Sequence, residues 1–232
     1  MKKRIAIITA RGGSKRIPHK NIRDFCGNPI IMYGILAALE SELFDVVMVS
    51  TDSREIADIA KGYGAEIPFM RGEETSGDFA TTSDVIMEVL KNYEEMGQTF
   101  ETAVCIYPTA PFVTPEKLKE AVGLLEKSRN IEVMPVVKYS YPPQRGYVLE
   151  NDTIKLKYPE YRDTRSQDLE AIYHDAGQFY CMNVKQFIQC NGKITDGIAP
   201  IIVNEMEVQD IDNEEDWKMA ELKYRLMEKE TT

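Results

Sequence analysis

The chain has 232 residues, of which 43% are hydrophobic, and a formal net charge of −10, so it can build one substantial core. Its apolar runs are too short to span a bilayer, and charges without a small-residue cleavage site follow the first run, which argues against a signal peptide. The four cysteines lack CxxC spacing, which disfavours a zinc or disulfide role. We expect a cytoplasmic protein with no membrane partner.

Short apolar runs alternate with amphipathic stretches over the first part of the chain. In order, these segments are RIAIIT, PIIMYGILAALESELF, DVVMVSTD, SREIADIAKGYG, EIPFM, TSDVIMEVLKNYEEM, TAVCIYP and TPEKLKEAVGLLEKS. The last begins at Thr114 and Pro115, which suit a helix start. The alternation predicts an α/β, Rossmann-like fold with a mostly parallel sheet and helices on both faces. Binding sites are then expected at the carboxyl ends of the strands.

The alternation of strands and helices ends at about residue 133. The pattern then predicts consecutive strands at EVMPVVKYS, GYVLEND and TIKLKYP. Asn151 and Asp152 supply a hairpin turn between the second and the third. Residues 138–172 are therefore predicted to form an inserted, hairpin-rich segment that leaves the main sheet.

The chain then returns with the strands GQFYCM and APIIVNEM and closes with the helix NEEDWKMAELKYRLMEKE. Asn213 can cap this helix, and Asp216 can complete a capping box. Since the sequence contains no internal repeats, low-complexity tracts or linkers, we predict a single domain over residues 1–232.

The loop after the first strand is strongly cationic, with Arg11, Lys15, Arg16, Lys20 and Arg23. The first 23 residues carry eight Lys and Arg and no carboxylate, so the rest of the chain has a net charge of −18. The field of an acidic protein would repel a long phosphate backbone. The loop therefore predicts a local site for a small polyanion and no nucleic-acid partner.

Gly12 and Gly13 within this loop let the backbone approach a ligand, and free N–H groups in such a loop can accept phosphate oxygens. The alternative is a flexible, solvated loop. The loop lacks the GxxxxGK[ST] spacing of a P-loop nucleotidase and the GxGxxG spacing of a dinucleotide-dependent oxidoreductase, so both classes are disfavoured.

A second informative stretch is VQDIDNEEDW. In an extended segment Asp210 and Asp212 face the same side, and such a pair suits Mg²⁺, which takes one or two carboxylates together with substrate phosphates. The alternative is an acidic turn that caps the last helix.

Four motifs, in this order along the chain, resemble those of the cytidylyltransferases that activate nonulosonic acids, the sialic acid-like nine-carbon sugars. They are ARGGSKRIPHKN, VSTD, YPTAP and VQDIDNEEDW. The segments TRSQDL and YHDAGQFY are similar to those of family members that act on pseudaminic acid.

This resemblance implies a nucleotide-diphospho-sugar transferase fold and transfer of CMP from CTP to the anomeric hydroxyl of pseudaminic acid, with release of pyrophosphate. The same transfer to N-acetylneuraminate or legionaminate is an alternative. A non-catalytic, CTP-binding regulator is a further alternative from a different class.

The resemblance also implies residue roles on the nucleotide side. Arg11, Lys20 and Asp210 would be catalytic, and Asp210 and Asp212 would hold Mg²⁺. The implied nucleotide-binding residues are Ala10, Arg11, Gly12, Gly13, Ser14, Lys15, Lys20, Asn21, Arg71, Ala80 and Thr82.

On the sugar side, Tyr107 stands before PTAP where sialic acid synthetases typically have Gln, which fits a less hydroxylated acceptor. Arg165 is the expected partner of the sugar carboxylate, because a guanidinium binds it bidentately. The segment 138–172 resembles the dimerisation element of relatives, which implies a homodimer. The implied sugar-binding residues are Tyr107, Arg165, Gln167, His174, Gln178, Phe179 and Tyr180.

Overall fold

The computed structural model describes residues 3–14, 16–127 and 130–230. The strands are β1 (Arg4–Thr9), β2 (Asp24–Phe25), β3 (Asn28–Pro29), β4 (Val46–Ser50), β5 (Thr102–Ile106), β6 (Glu132–Lys138), β7 (Tyr147–Glu150), β8 (Thr153–Leu156), β9 (Tyr173–Asp175), β10 (Phe179–Asn183) and β11 (Ile198–Ile202). The α-helices are α1 (Ile31–Glu40), α2 (Arg54–Gly62), α3 (Glu73–Ser76), α4 (Thr82–Glu95), α5 (Pro115–Lys127), α6 (Val184–Gln189) and α7 (Glu214–Glu230).

The main sheet has the strand order β11-β6-β10-β5-β1-β4, and β9 pairs with β6. Its pairs β1/β4, β1/β5 and β6/β11 are parallel, which confirms the predicted mostly parallel sheet. Strand β10 runs antiparallel to both of its neighbours, and β9 runs antiparallel to β6. The chain passes from β6 to β10 without a crossover α-helix, and the strands along this connection can therefore reverse direction.

Both faces of the sheet are covered by helices, as predicted. On β1, Ala6 and Ile8 pack into the cluster that holds α1, α2 and α5, whereas Ile5 and Ile7 pack into the cluster with α4. All four side chains are fully buried. A strand covered on both faces needs such a continuous apolar run, which explains the sequence RIAIIT.

The prediction of a strand at EIPFM is wrong except at its first residue. Glu66 forms an isolated parallel bridge with Met48 and exchanges backbone hydrogen bonds with Val47 and Val49. Pro68 follows two residues later and has no N–H to continue the ladder.

The inserted segment forms its own two-stranded sheet from β7 and β8, outside the main sheet. The connecting residues Asn151 and Asp152 have φ values of 47° and 62°. Two consecutive positive φ values are the signature of a type I′ hairpin turn, so the predicted turn is confirmed.

Helix α7 returns across the protein and packs against the loop after β1. Ile211 and Trp217 are buried with Ile17 and Phe25 in one apolar cluster. The predicted cap is confirmed: Asn213 Oδ1 accepts the Asp216 N–H at 3.0 Å, and Asp216 Oδ2 accepts the Asn213 N–H at 3.1 Å. The segment before α7 is thereby fixed beside the loop that follows β1.

Strands β1, β4, β5, β6 and β11 all end at the same edge of the sheet. The loops that leave this edge carry the motifs singled out in the sequence. Among the described residues, no helix is both long and apolar enough to cross a membrane.

Candidate functional site

Two neighbouring cavities open at this edge. The first, of about 520 Å³ and called here the cationic cavity, is lined by Arg11, Arg16, Lys20 and Arg71. The second, of about 660 Å³ and called here the aromatic cavity, is lined by the side chains Tyr107, Tyr139, His174, Asp175, Tyr180, Asp210 and Lys223 among others. Tyr107 lines both cavities and therefore stands where they meet.

The glycine loop is anchored to the end of β4. The Gly12 N–H donates to Asp52 Oδ1 at 2.7 Å, and a Cβ at Gly12 would approach the Ser53 Cβ to 3.1 Å. The absence of a side chain thus permits a close approach to Ser53 within the protein, and the Gly12 amide already has a protein acceptor. Lys15 lies outside the described residues, and Ala10 is fully buried.

Arg11 and Arg16 each form an ion pair at the surface of the site. Arg11 Nη1 lies 3.1 Å from Asp78 Oδ1, and Arg16 Nη2 lies 2.8 Å from Asp212 Oδ1. The Asn21 amide donates to the Arg11 carbonyl at 2.8 Å. Asn21 therefore supports the loop from below as well as lining the cationic cavity.

Arg71 is held by the end of β4. Its Nη2 donates to the Ser50 carbonyl at 2.6 Å and its Nε to the Ser50 hydroxyl at 3.0 Å. Burial lowers the pKa of this guanidinium, although Asp52 counteracts the effect. Because an arginine keeps its charge under such a shift, Arg71 gives the cavity a fixed, partly desolvated cation.

Lys20 connects the β1 loop to the aspartate segment. Its Nζ donates to the Ile211 carbonyl at 2.6 Å. Burial lowers the pKa of the ammonium, and the negative charges of Asp212 and Asp210 act in the opposite direction. The lysine therefore lies between the two aspartates that the sequence assigned to a metal.

Asp210 and Asp212 flank the buried Ile211. The helix cap is made by Asn213 and Asp216 of the same acidic stretch, and not by the side chains of Asp210 and Asp212. Asp216 Oδ2, which accepts the Asn213 N–H in the cap, also accepts the Asp212 N–H at 2.9 Å. This bond fixes the backbone of the pair.

The donor set of this pair suits Mg²⁺ only in part. Within residues 3–14, 16–127 and 130–230, no group of three or more His, Cys, Asp or Glu side chains could hold a metal ion. Two carboxylates fit Mg²⁺ when substrate phosphates and waters complete its shell. The residues are therefore compatible with an ion that arrives together with a phosphorylated ligand.

The wall between the two cavities is aromatic. The rings of Tyr107 and Tyr180 pack edge to face with centroids 5.4 Å apart. The Tyr107 hydroxyl lies 3.4 Å from Thr82 Oγ1, and the Tyr180 hydroxyl donates to Asp175. His174 lines the aromatic cavity, and its ring centroid lies 4.6 Å from that of Tyr139.

Four predicted sugar-binding residues do not reach the aromatic cavity. Arg165 and Gln167 are exposed at a 3-10 turn of the inserted segment. Phe179 is fully buried in the core, because alternation along β10 turns it away from the face of Tyr180. Gln178 is buried; its Nε2 donates to the Glu207 carbonyl at 2.5 Å, and its Oε1 has no hydrogen-bond partner among the described residues.

Sequence reasoning missed Lys223 and Asp175. Lys223 extends from α7 into the aromatic cavity, where its Nζ donates to the carbonyls of Glu205 at 3.1 Å and Val208 at 2.6 Å. No local pattern marks Lys223, whereas Asp175 lies within the quoted segment YHDAGQFY and was passed over there. The ion-pairing partner Asp78 was also missed.

Comparison with known proteins identifies the family. The sequence matches the model of a family described as Cytidylyltransferase over residues 5–189. The chain belongs to the cytidylyltransferase family.

Full-length relatives support this membership. The cytidylyltransferase is 35% identical over 225 residues to the pseudaminic acid cytidylyltransferase of Campylobacter jejuni subsp. jejuni serotype O:2, with 97% of each chain covered. It is 33% identical over 226 residues to the CMP-N,N'-diacetyllegionaminic acid synthase of Legionella pneumophila, with 97% of this chain and 96% of that protein covered.

A solved structure supports the fold of the cytidylyltransferase. The structure of CMP:2-keto-3-deoxy-manno-octonic acid synthetase complexed with CTP matches it with a TM-score of 0.71, at 16% identity, over 98% of this chain and 99% of that chain. This likeness establishes the nucleotide-sugar transferase type of fold.

Proposed function

We propose that this cytidylyltransferase transfers CMP from CTP to the anomeric hydroxyl of pseudaminic acid and releases pyrophosphate. The observation that carries the proposal is the pair of cavities that meet at Tyr107, one lined by four cations and the other by aromatic side chains. The cationic cavity suits a nucleoside triphosphate, and the adjoining cavity suits the sugar that attacks it. The presence of CTP as substrate fits a cytoplasmic enzyme.

The triphosphate is proposed to lie against Arg11 and Lys20. The Arg11 guanidinium is paired with Asp78, and a phosphate would replace that carboxylate. Arg71, fixed by two bonds to Ser50, lies deeper and is assigned to the nucleoside side together with Asn21.

In the proposed reaction the sugar hydroxyl oxygen forms a bond to the α-phosphorus while the bond between that phosphorus and the bridging oxygen of the pyrophosphate breaks. Such phosphoryl chemistry depends on positioning and on charge stabilisation more than on covalent help from the protein. Lys20 is already oriented by the Ile211 carbonyl, and Arg11 exchanges Asp78 for a phosphate oxygen, so both can stabilise the developing charge.

We assign Asp210 and Asp212 as the residues that hold Mg²⁺. The ion would neutralise phosphate oxygens when bound. The pair lies on either side of the Ile211 carbonyl that holds Lys20, and its backbone is fixed by Asp216. The metal and the lysine are thus proposed to act at the same end of the triphosphate.

The choice of pseudaminic acid is supported by the relative from Campylobacter jejuni and by the wall between the cavities. Tyr107 and Tyr180 present ring surface where an amide would favour a more hydroxylated sugar. N-acetylneuraminate and legionaminate are the alternative acceptors, and the relative from Legionella pneumophila supports the latter.

A homodimer is proposed from the inserted hairpin. Leu149 pairs directly with Ile154, and Tyr147 with Leu156, so the four lie on one face of β7 and β8. Leu149 is 74% and Ile154 65% exposed. Because an isolated two-stranded sheet is marginally stable, we propose that a second copy covers this face. Arg165 on the same segment would then contribute to the partner's acceptor site.

The test is pyrophosphate release from CTP and Mg²⁺ with pseudaminic acid, N-acetylneuraminic acid or legionaminic acid supplied separately. Release with pseudaminic acid at the highest kcat/KM is expected. CTP binding without pyrophosphate release in any mixture would favour the regulator and contradict the proposal.

A further inference from the structure

The wall between the two cavities, formed by Tyr107 and Tyr180, is hydrogen-bonded to the carboxylate of Asp175. Asp175 uses both of its oxygens within the protein: Oδ1 accepts the Gly177 N–H at 2.7 Å, and Oδ2 accepts the Tyr180 hydroxyl. Tyr180 in turn packs edge to face on Tyr107. Asp175 is therefore linked to the residue that lines both cavities.

Asp175 is itself fixed to the main sheet. It is the last residue of β9 and pairs with Val136 on β6, and the next N–H, that of Ala176, donates to the Pro135 carbonyl at 3.0 Å. Gly177 has a φ of 63°, a value that side chains disfavour, and this permits the tight turn into β10. The carboxylate is thus held on a rigid support.

Tyr180 acts as a permanent donor in this arrangement. Burial, followed by the hydrogen bond to Asp175, raises the pKa of its hydroxyl. The proton therefore stays on the tyrosine, and the ring cannot rotate without losing its charged acceptor. A hydrogen bond to a charged group is stronger than one between neutral groups.

At the other end of the wall, Tyr107 lies beside a residue of the cationic cavity. The Tyr107 hydroxyl lies 3.4 Å from Thr82 Oγ1, and Thr82 lines the cationic cavity. The Tyr107 N–H donates to the Gln178 carbonyl at 2.9 Å. A change in the tilt of Tyr180 would therefore move the surface that separates the acceptor from the nucleotide.

We propose that Asp175 is a positioning residue for the acceptor, acting through Tyr180 on Tyr107. This inference rests on the proposed function. It adds a residue that determines the position of the bound sugar relative to CTP. Both carboxylate oxygens already accept hydrogen bonds from the protein, and through these bonds Asp175 orients the tyrosines.

Four variants test the role: Asp175→Ala, Asp175→Asn, Tyr180→Phe and the double variant Asp175→Ala/Tyr180→Phe. Asp175→Ala and Tyr180→Phe should each raise the KM for pseudaminic acid by about tenfold, because a hydrogen bond to a carboxylate is lost, while the KM for CTP changes by less than about twofold. The double variant should be no worse than Asp175→Ala alone, since that change already removes the bond that Tyr180→Phe removes. Asp175→Asn should recover most of the loss, because its amide can bond to both partners.

The matched control is Asp58→Ala on the exposed surface of α2, which should leave both KM values unchanged. Isothermal titration of pseudaminic acid onto each variant and thermal melts complete the set. A lower melting temperature for Asp175→Ala with an unchanged acceptor KM would overturn the positioning role in favour of a purely structural one. Strictly additive losses in the double variant would also overturn it.

Failure of the proposed function would look different. If the wild-type protein neither binds nor uses any nonulosonic acid, the proposed function is wrong and the positioning role falls with it. If the wild type uses pseudaminic acid and Asp175→Ala matches it in acceptor binding and kinetics, only the positioning role is wrong.

Discussion

Arg11 and Lys20 line one cavity but are held in different ways. Arg11 is half-exposed and paired with a surface carboxylate, whereas Lys20 is partly buried and donates to a backbone carbonyl. Both belong to a loop and not to the apolar core. Their removal should therefore affect turnover more than folding.

We expect Lys20→Ala and Arg11→Ala each to reduce kcat/KM by a factor on the order of 100, which corresponds to about 3 kcal/mol of lost stabilisation of the transition state. Pyrophosphate release with CTP and pseudaminic acid is the measurement, and the exposed Lys61→Ala on α2 is the control. A variant that turned over at the wild-type rate would remove its residue from the phosphate site.

Asp210→Asn separates a metal ligand from a surface aspartate. The amide keeps the size of the side chain but loses the charge that binds a hard dication, so activity should fall about 100-fold. Added Mg²⁺ should restore only part of it. Asp58→Asn serves as control, and the melting temperature should not change because Asn213 and Asp216 form the cap. Full activity with an unchanged Mg²⁺ requirement would refute the assignment.

Glu132 on β6 links stability to pH. Burial, with a smaller effect from Asp175, raises the pKa of its carboxyl to about 7. A raised pKa in an acid means that the folded protein holds the proton more tightly than the unfolded chain. The stabilising effect of this proton is complete below about pH 4.5 and is lost as the pH rises to about 7.

Glu132→Gln should therefore stabilise the protein at pH 8 by roughly 1 kcal/mol, a value discounted for the partial exposure of the group. The gain should disappear near pH 4.5. Thermal melts across this range, with the exposed Glu120→Gln on α5 as control, measure it. An equal shift at every pH would show that the charge of Glu132 is not the cause.

The exposed apolar face of the β7–β8 hairpin leads to a prediction about the oligomeric state. Leu149→Lys places a charge on the apolar face opposite Ile154 and should convert a dimer into monomers in light scattering. Met96→Lys, at another exposed apolar position after α4, is the control. A wild-type protein that is already monomeric at micromolar concentration would contradict the proposed dimer.

Elements with a local signal were predictable. The apolar run of β1, the turn at Asn151 and Asp152, and the cap of α7 depend on neighbouring residues, and the structure has all three. The reversal of β10 and the short bridge at Glu66 depend on how distant segments connect. Periodicity carries no information about strand direction, which is why these features were not predicted.

The same distinction divides the site. The cationic loop and the aspartate pair each lie within one short motif, so both could be singled out from the sequence, and the loop could be placed at the end of the first strand. Asp175 and Lys223 reach the aromatic cavity from β9 and α7. Phe179 was misassigned because its burial is fixed by the face of β10 on which it lies.

Across the protein, one sheet edge gathers the loops of five strands and the segment before α7. This convergence places cations from the first loop beside carboxylates from the end of the chain, which offset their charge locally. It also leaves Tyr107 as the shared boundary of the two cavities. Acceptor choice should therefore depend on this boundary and not on the cationic cavity.

A competition reaction tests most directly whether the boundary at Tyr107 determines the choice of acceptor. Pseudaminic acid and N-acetylneuraminic acid are supplied together at equal concentration with limiting CTP and Mg²⁺, and the two CMP-sugars are quantified. Their ratio reports the ratio of kcat/KM values. We predict that CMP-pseudaminic acid dominates with the wild type, and that Tyr107→Gln lowers its share without weakening CTP binding. A wild-type reaction that yields mainly CMP-N-acetylneuraminic acid would contradict the account.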